Sequence, residues 1–365
     1  LFLSTPCGMC QSTVWQGVVP CQLCATSGCG YRSQRGSDGC CKECSTGDHA
    51  ADCPRLSKDL LERCWWESYL CDSGAEEKAT CFVAPPGVVD GPRPVVLFLT
   101  GNGHVDDRED FFVGGVDLLL QNQTIREQCF VLAPKPMTAS GLLRRNRQWR
   151  WTWSEDGVWS LFTEVLRRLG PEKVDPGRLC VTGISLGASA VWHLALSYGQ
   201  YLAAVVPISG QCEWPGDSWR WGGLCEAAMG RLQSVALRAY HIDVDHRAGH
   251  PGRDIEWLSG PEETTEELTL PGVEQGTTCV VTARRWLWGV RQSRLEFWSV
   301  AGPLRDWSAW DSWGGDKHCL WYRVYPAARD GWDFAAFLLA HRSSDSSRWS
   351  FESPPFVADV LQRTW

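Results

Sequence analysis

The stretch Leu179–Ala188 restricts the fold more than any other in this chain. It reads Leu-Cys-Val-Thr-Gly-Ile-Ser-Leu-Gly-Ala and joins an apolar strand pattern to an Ala/Leu-rich helix pattern that runs on to Tyr198. Ser185 stands at the apex, with Gly183 and Gly187 two residues to either side. A serine on so sharp a strand-to-helix turn is held in a strained backbone conformation, so its neighbours must be small. A bare Gly-x-Ser-x-Gly arises by chance in many sequences. The preceding strand and following helix are the context that the motif requires, and they mark Ser185 as a candidate nucleophile.

A strand-turn-helix of this kind needs a sheet to sit in, and the surrounding sequence supplies one. After Pro85-Pro86-Gly87, short apolar runs alternate with longer helical patterns, which gives an α/β class with a mostly parallel sheet flanked by helices. Strands are expected at 94–99, 129–133, 179–183, 203–207, 237–242 and 295–300. Val158, Leu161, Phe162, Val165, Leu166 and Leu169 recur at helical spacing and stop at Gly170-Pro171. A last helix is expected over 333–342. This domain is placed at 86–342, and the Ser-rich run after it makes 343–365 a linker or tail.

The segment 1–85 has a different texture. Of the 18 cysteines, Cys7, Cys10, Cys21, Cys24, Cys29, Cys40, Cys41, Cys44, Cys53, Cys64, Cys71 and Cys81 all fall in it. A short stretch with few large aliphatic residues cannot build a sufficient core, so a small cross-linked module is expected. Zinc would use the Cys-x-x-Cys pairs as thiolate ligands, with His49 the available nitrogen. Disulfides are preferred because further cysteines surround the pairs, and they imply a secreted protein. Asn122-Gln123-Thr124 is a glycosylation acceptor that agrees with secretion. Leu1 onward reads equally as a signal-peptide remnant or as a truncated start. A thioredoxin-like role is disfavoured, since no pair follows an apolar strand and opens a helix. The module's ligand or partner is not legible.

Charge narrows the partners. A formal net charge of −8 with no concentration of Lys and Arg argues against nucleic acid. No apolar run approaches the roughly 20 residues that cross a bilayer as a helix.

Attack by a serine on a carbonyl generates an oxyanion that needs preorganised donors. The backbone N–H of Leu186, next after Ser185, supplies one. The second is expected from the Gly-rich loop Thr100-Gly101-Asn102-Gly103-His104 behind the first parallel strand, with Asn102 the choice and Gly103 next.

At these residues the chain resembles the secreted esterase branch of the α/β-hydrolases, which includes polyhydroxybutyrate depolymerases, feruloyl esterases and phospholipase/carboxylesterase proteins. The resemblance covers 93 to 342. It rests on Leu-Thr-Gly-Asn-Gly at 99–103, Leu-Ala-Pro-Lys at 132–135, Trp149 or Trp151, the turn at Ser185, and Ala-Ala-Val-Val-Pro-Ile-Ser-Gly at 203–210. The family usually carries His where Thr100 stands and Gly where Ala188 stands. The resemblance implies Asp245 as the acid, from His-x-x-x-Asp beginning at His241, with Asp243 as the rival. It implies His318 as the base, from His318-Cys-Leu-Trp321-Tyr-Arg-Val-Tyr325. The order Ser185, Asp245, His318 is the one α/β-hydrolases use. Trp149, Trp151 and Trp321 are candidate substrate contacts.

Between acid and histidine the chain is longer than the family usually allows, and 261–313 reads as an insertion able to form a lid. Its Trp286, Trp288, Trp307, Trp310 and Trp313 are read as packing first, and as an aromatic platform second. The expected protein is a serine-dependent hydrolase of small-molecule or polymeric carboxylic esters, needing no cofactor and no metal. Two rivals stay open: a binding protein on a hydrolase scaffold, and a peptidase or acyltransferase using the same residues.

Overall fold

The computed structural model describes residues 58–69, 78–88, 90–102, 115–145, 151–210, 226–243, 245, 264–271, 278–288, 293–301, 318, 320–325, 332–343 and 345–352. Their strands are β1 Trp65–Tyr69, β2 Ala79–Ala84, β3 Arg93–Leu99, β4 Phe130–Pro134, β5 Leu143–Arg145, β6 Trp151–Trp153, β7 Val174–Ile184, β8 Ala204–Ile208, β9 Ala236–Ile242, β10 Thr264–Pro271, β11 Thr278–Trp288 and β12 Ser293–Val300. The helices are α1 Lys58–Arg63, α2 Asp117–Gln121, α3 Gln123–Gln128, α4 Glu155–Leu169, α5 Leu186–Tyr198, α6 Glu226–Leu232, α7 Trp321–Val324 and α8 Phe334–Ala340.

Ten strands make one sheet in the order β1-β2-β4-β3-β7-β8-β9-β12-β11-β10. The middle six, β4 to β12 in that order, run parallel, while β2 and β1 at one edge and β11 and β10 at the other are antiparallel additions. Parallel strands read as unbroken apolar runs because both faces are covered. β3 shows it: Val95, Leu97 and Leu99 pack into one core with α4 and α5, whereas Val96 and Phe98 pack into the other with α2, α3 and α8.

Each of the six expected strands is present within a few residues, with β7 reaching back to Val174. The four strands that flank this parallel set, β1, β2, β10 and β11, were not foreseen. β1 and β2 lie inside the segment assigned to the cysteine module, and they pair in register with the main sheet, Val83 opposite Leu132. The sheet therefore begins by Trp65, ahead of the expected boundary at 86. Cys64 closes α1 as a free buried thiol whose S–H donates to the Leu60 carbonyl at 3.1 Å, so the disulfide expectation does not hold for it. The remaining cysteines of that module, Cys81 apart, lie outside the described residues.

Three further expectations change. Asn122 is fully buried: its side chain caps α3 by accepting from the Ile125 N–H and donates to the Tyr325 carbonyl, which leaves no room for a glycan. The described part of 261–313 is β10, β11 and β12, which extend the sheet rather than cover it, while Trp286 is buried in the core, in line with the packing reading preferred for it. Beyond 343 the chain does not leave the domain at once. Trp349 packs edge-on against Trp159, and Ser343 Oγ donates to the Gln200 carbonyl at 2.9 Å.

Candidate active site

β7 ends at Ile184 and α5 starts at Leu186, so Ser185 is the whole turn. It has φ 52° and ψ −116°, a region that side chains other than glycine rarely occupy. Two backbone bonds hold it there. The Ser185 N–H donates to the Ile208 carbonyl of β8 at 3.0 Å, and the Ser185 carbonyl accepts from the Ser189 N–H of α5 at 3.2 Å. Glycine at 187 is dictated by close approach: a Cβ there would sit 2.0 Å from the Leu99 carbonyl oxygen and 2.6 Å from that of Thr100.

The loop after β3 thus runs against the first turn of α5. A Cβ on Gly101 would lie 3.2 Å from the Ser185 Cβ, which puts the loop beside the hydroxyl. Asn102 is exposed at the loop's outer end, and Gly103 lies outside the described residues. The loop is fastened from its other side by Trp153, whose indole N–H donates to the Thr100 carbonyl at 3.2 Å.

His318 and Asp245 meet at the same point. His318 Nε2 is 2.8 Å from Ser185 Oγ, and His318 Nδ1 is 2.7 Å from Asp245 Oδ2. The carboxyl group is fully buried and the imidazole nearly so, which shields both from competing water. The rival Asp243 is exposed on the same turn. Its N–H donates to the Val300 carbonyl, while the Asp245 N–H folds back to the Ile242 carbonyl. Those bonds set which carboxylate points inward.

Trp321, expected against substrate, is buried, and its ring meets His318 edge-on at 5.3 Å. Trp149 lies outside the described residues, and of Trp151 only the strand position is described. Tyr325 anchors the histidine segment. Its hydroxyl is 3.0 Å from Thr182 Oγ1, which itself donates to the Val206 carbonyl at 2.7 Å, so Tyr325 is the donor. Burial pushes the Tyr325 phenol above its usual range and keeps that proton in place. No group of three or more His, Cys, Asp or Glu among the described residues is placed to hold a metal.

Sequence reasoning missed Trp153. Trp149, Trp151 and Trp153 share one face of an alternating run, so periodicity cannot separate them. The signal that does is Ser154, the helix cap that seats Trp153 at the start of α4 by accepting from the Gly157 N–H.

No protein-family model matches this sequence, and neither does any curated protein. Solved structures do. A thermostable esterase superposes with a TM-score of 0.52 at 16% identity, over 78% of this chain and 64% of that one. A feruloyl esterase module from Clostridium thermocellum matches with 0.39 at 14% identity, over 55% and 73%. An acylaminoacyl peptidase of Pyrococcus horikoshii matches with 0.38 at 14%, over 53% and 34%. This chain thus spans 64% of the length of the thermostable esterase. The sheet order, the helices on both faces and that first likeness define an α/β-hydrolase fold.

Proposed function

We propose that this protein is a serine hydrolase that cleaves carboxylic esters through an acyl-enzyme. One observation carries the reading: a strained serine at the head of a helix lies within hydrogen-bond reach of an imidazole whose other nitrogen faces a buried carboxylate. In this mechanism His318 Nε2 takes the Ser185 proton as Oγ attacks the ester carbonyl. The tetrahedral oxyanion is met by the Leu186 N–H at the start of α5, where the helix dipole also favours negative charge. Asn102 or Gly103 supplies the second donor. His318 then gives its proton to the departing alkoxide, which leaves as the alcohol. Water attacks the acyl group with His318 again as base, and Ser185 regains its proton as the acid departs. Asp245 holds the imidazole tautomer and steadies its cation throughout.

The test is direct. A fluorophosphonate probe is expected to label Ser185, and Ser185→Ala is expected to lose turnover of a p-nitrophenyl butyrate ester. Equal turnover in that variant ends the proposal. The binding-protein reading required His318 to be turned away from Ser185, and the 2.8 Å separation weighs against it. Feruloyl, acetyl and hydroxybutyrate esters are the first substrates to compare.

A further inference from the structure

We propose that Trp153 is a positioning residue for the oxyanion loop, an inference that rests on the ester-hydrolase reading above. The loop 99–101 is gripped from two sides. On one side the Leu99 and Thr100 carbonyls press so close to Gly187 that no side chain fits between them. On the other the Trp153 indole N–H takes up the Thr100 carbonyl at 3.2 Å in a fully buried setting. Fixing that carbonyl fixes the peptide joining Thr100 to Gly101, and with it the direction in which the next amide protons point.

Trp153 is well placed to impose such a constraint. It is 1% exposed and ends β6, which pairs with β5 so that Trp153 stands opposite Leu143. The next residue, Ser154, donates its N–H to the Leu142 carbonyl at 2.8 Å and caps α4. β6 also lies against α5, the helix that presents the Leu186 N–H. One rigid indole thereby sets the loop against the same helix, so both proposed donors share a frame. The Thr100 hydroxyl does not serve this purpose: it is buried and finds no hydrogen-bond partner among the described residues. The loop's orientation therefore depends on its backbone carbonyl and on the donor that meets it.

The consequence falls on the transition state rather than on substrate binding, because the oxyanion develops only as the carbonyl is attacked. The experiment compares wild type, Trp153→Phe and Trp159→Phe, the last a matched indole-to-phenyl change in the same core away from the loop. Competent sites are titrated with a fluorophosphonate, kcat and KM are measured on p-nitrophenyl butyrate, and affinity is measured for a trifluoromethyl ketone, which forms an oxyanion on serine. For Trp153→Phe, kcat per titrated site is expected to fall about tenfold or more, with KM within about twofold and ketone affinity weakened by the same factor as kcat. Trp159→Phe is expected to melt earlier with kcat per site unchanged.

Wild-type kcat and ketone affinity in Trp153→Phe, whatever its melting temperature, would overturn the proposal, as would a loss confined to KM. Should Trp153→Phe not fold, hydrogen exchange in the wild type decides: an indole N–H of Trp153 that exchanges within minutes overturns the bond on which everything rests. A wild type without Ser185-dependent turnover refutes the ester-hydrolase reading itself. That result differs visibly from an active wild type beside an equally active Trp153→Phe.

Discussion

Gly187→Ala isolates the demand that the turn makes on its neighbours. The added methyl would sit 2.0 Å from the Leu99 oxygen, 2.5 Å from its carbonyl carbon and 2.6 Å from the Thr100 oxygen. All three are backbone atoms, so no side chain can swing aside. Ordinary carbon-to-oxygen contact begins at roughly 3.3 Å, and the loop or the head of α5 must therefore move by about 1 Å. Leu99 is held by strand pairing, where it lies opposite Gly183 of β7, so the displacement passes to the less constrained end of the loop beside Ser185. A misplacement of about 1 Å costs on the order of 100-fold in rate. The expected outcome is a kcat/KM about 100-fold lower on p-nitrophenyl butyrate, measured per folded molecule. Gly230→Ala is the control. Its Cβ meets nothing within 4 Å in helix α6, so activity should stay and stability should rise by about 0.5 kcal/mol or more. Gly187→Ala retaining activity within threefold of wild type would refute the packing argument.

Other expectations follow from buried charge. On the proposed mechanism, Asp245→Asn should cut kcat by about 10⁴-fold through the wrong imidazole tautomer, the loss known for the acid of Ser-His-Asp enzymes, whereas Asp243→Asn should change it less than threefold, so parallel steady-state assays check the assignment. Arg238 and Glu296 form a buried pair at 2.5 Å between β9 and β12, with the guanidinium 4.6 Å over Trp298 and 4.2 Å over Phe337 of α8. Arg238→Met should destabilise by about 3 kcal/mol in urea unfolding, the low end for a broken buried pair, because Glu296 keeps its contact with Arg294. The double change Arg238→Met with Glu296→Leu should recover most of that loss. Burial pushes the Glu296 carboxyl up, but the charge and hydrogen bond of Arg238, with Arg294 and Trp298, outweigh it and hold it below the usual range. Its stabilisation is therefore present above about pH 4.3 and lost as pH falls through the lower native value. Glu296→Gln should flatten that acid limb in melts taken from pH 6 to pH 3.

The parallel core was legible because buried strands announce themselves as apolar runs, and Ser185 because its turn admits only small neighbours. β1 and β10, at the two edges of the sheet, were hidden for the opposite reason. Trp65, Trp66 and Glu67 alternate poorly, and Thr264–Glu267 is wholly exposed, so these edge strands are specified by pairing with a formed sheet rather than by their own pattern. Cysteine density masked β1 further and concealed β2, whose own pattern is as apolar and buried as a core strand's. Asn122 misled because a glycosylation triplet and a helix cap use the same residue type, and only burial tells them apart. The choice between Asp243 and Asp245 was likewise out of reach, since it depends on the bond from the Asp243 N–H to Val300 of β12, a residue distant in sequence, as well as on the local turn from Asp245 back to Ile242.

The placement of the site follows from the topology once those strands are known. Ser185 leaves the C-terminal end of β7, the loop 100–102 that of β3, and Asp245 that of β9. These strands all run in one direction, so their ends open on one side of the sheet, where ligands bind in open α/β folds. His318 comes later in the chain than β12, yet it is tied down at the same edge by Tyr325, which bonds both to α3's capping Asn122 and to Thr182 of β7. The histidine is thus referenced to the strand that carries the serine. A long segment can precede it without disturbing the 2.8 Å separation, because the anchor lies after the histidine and not before it.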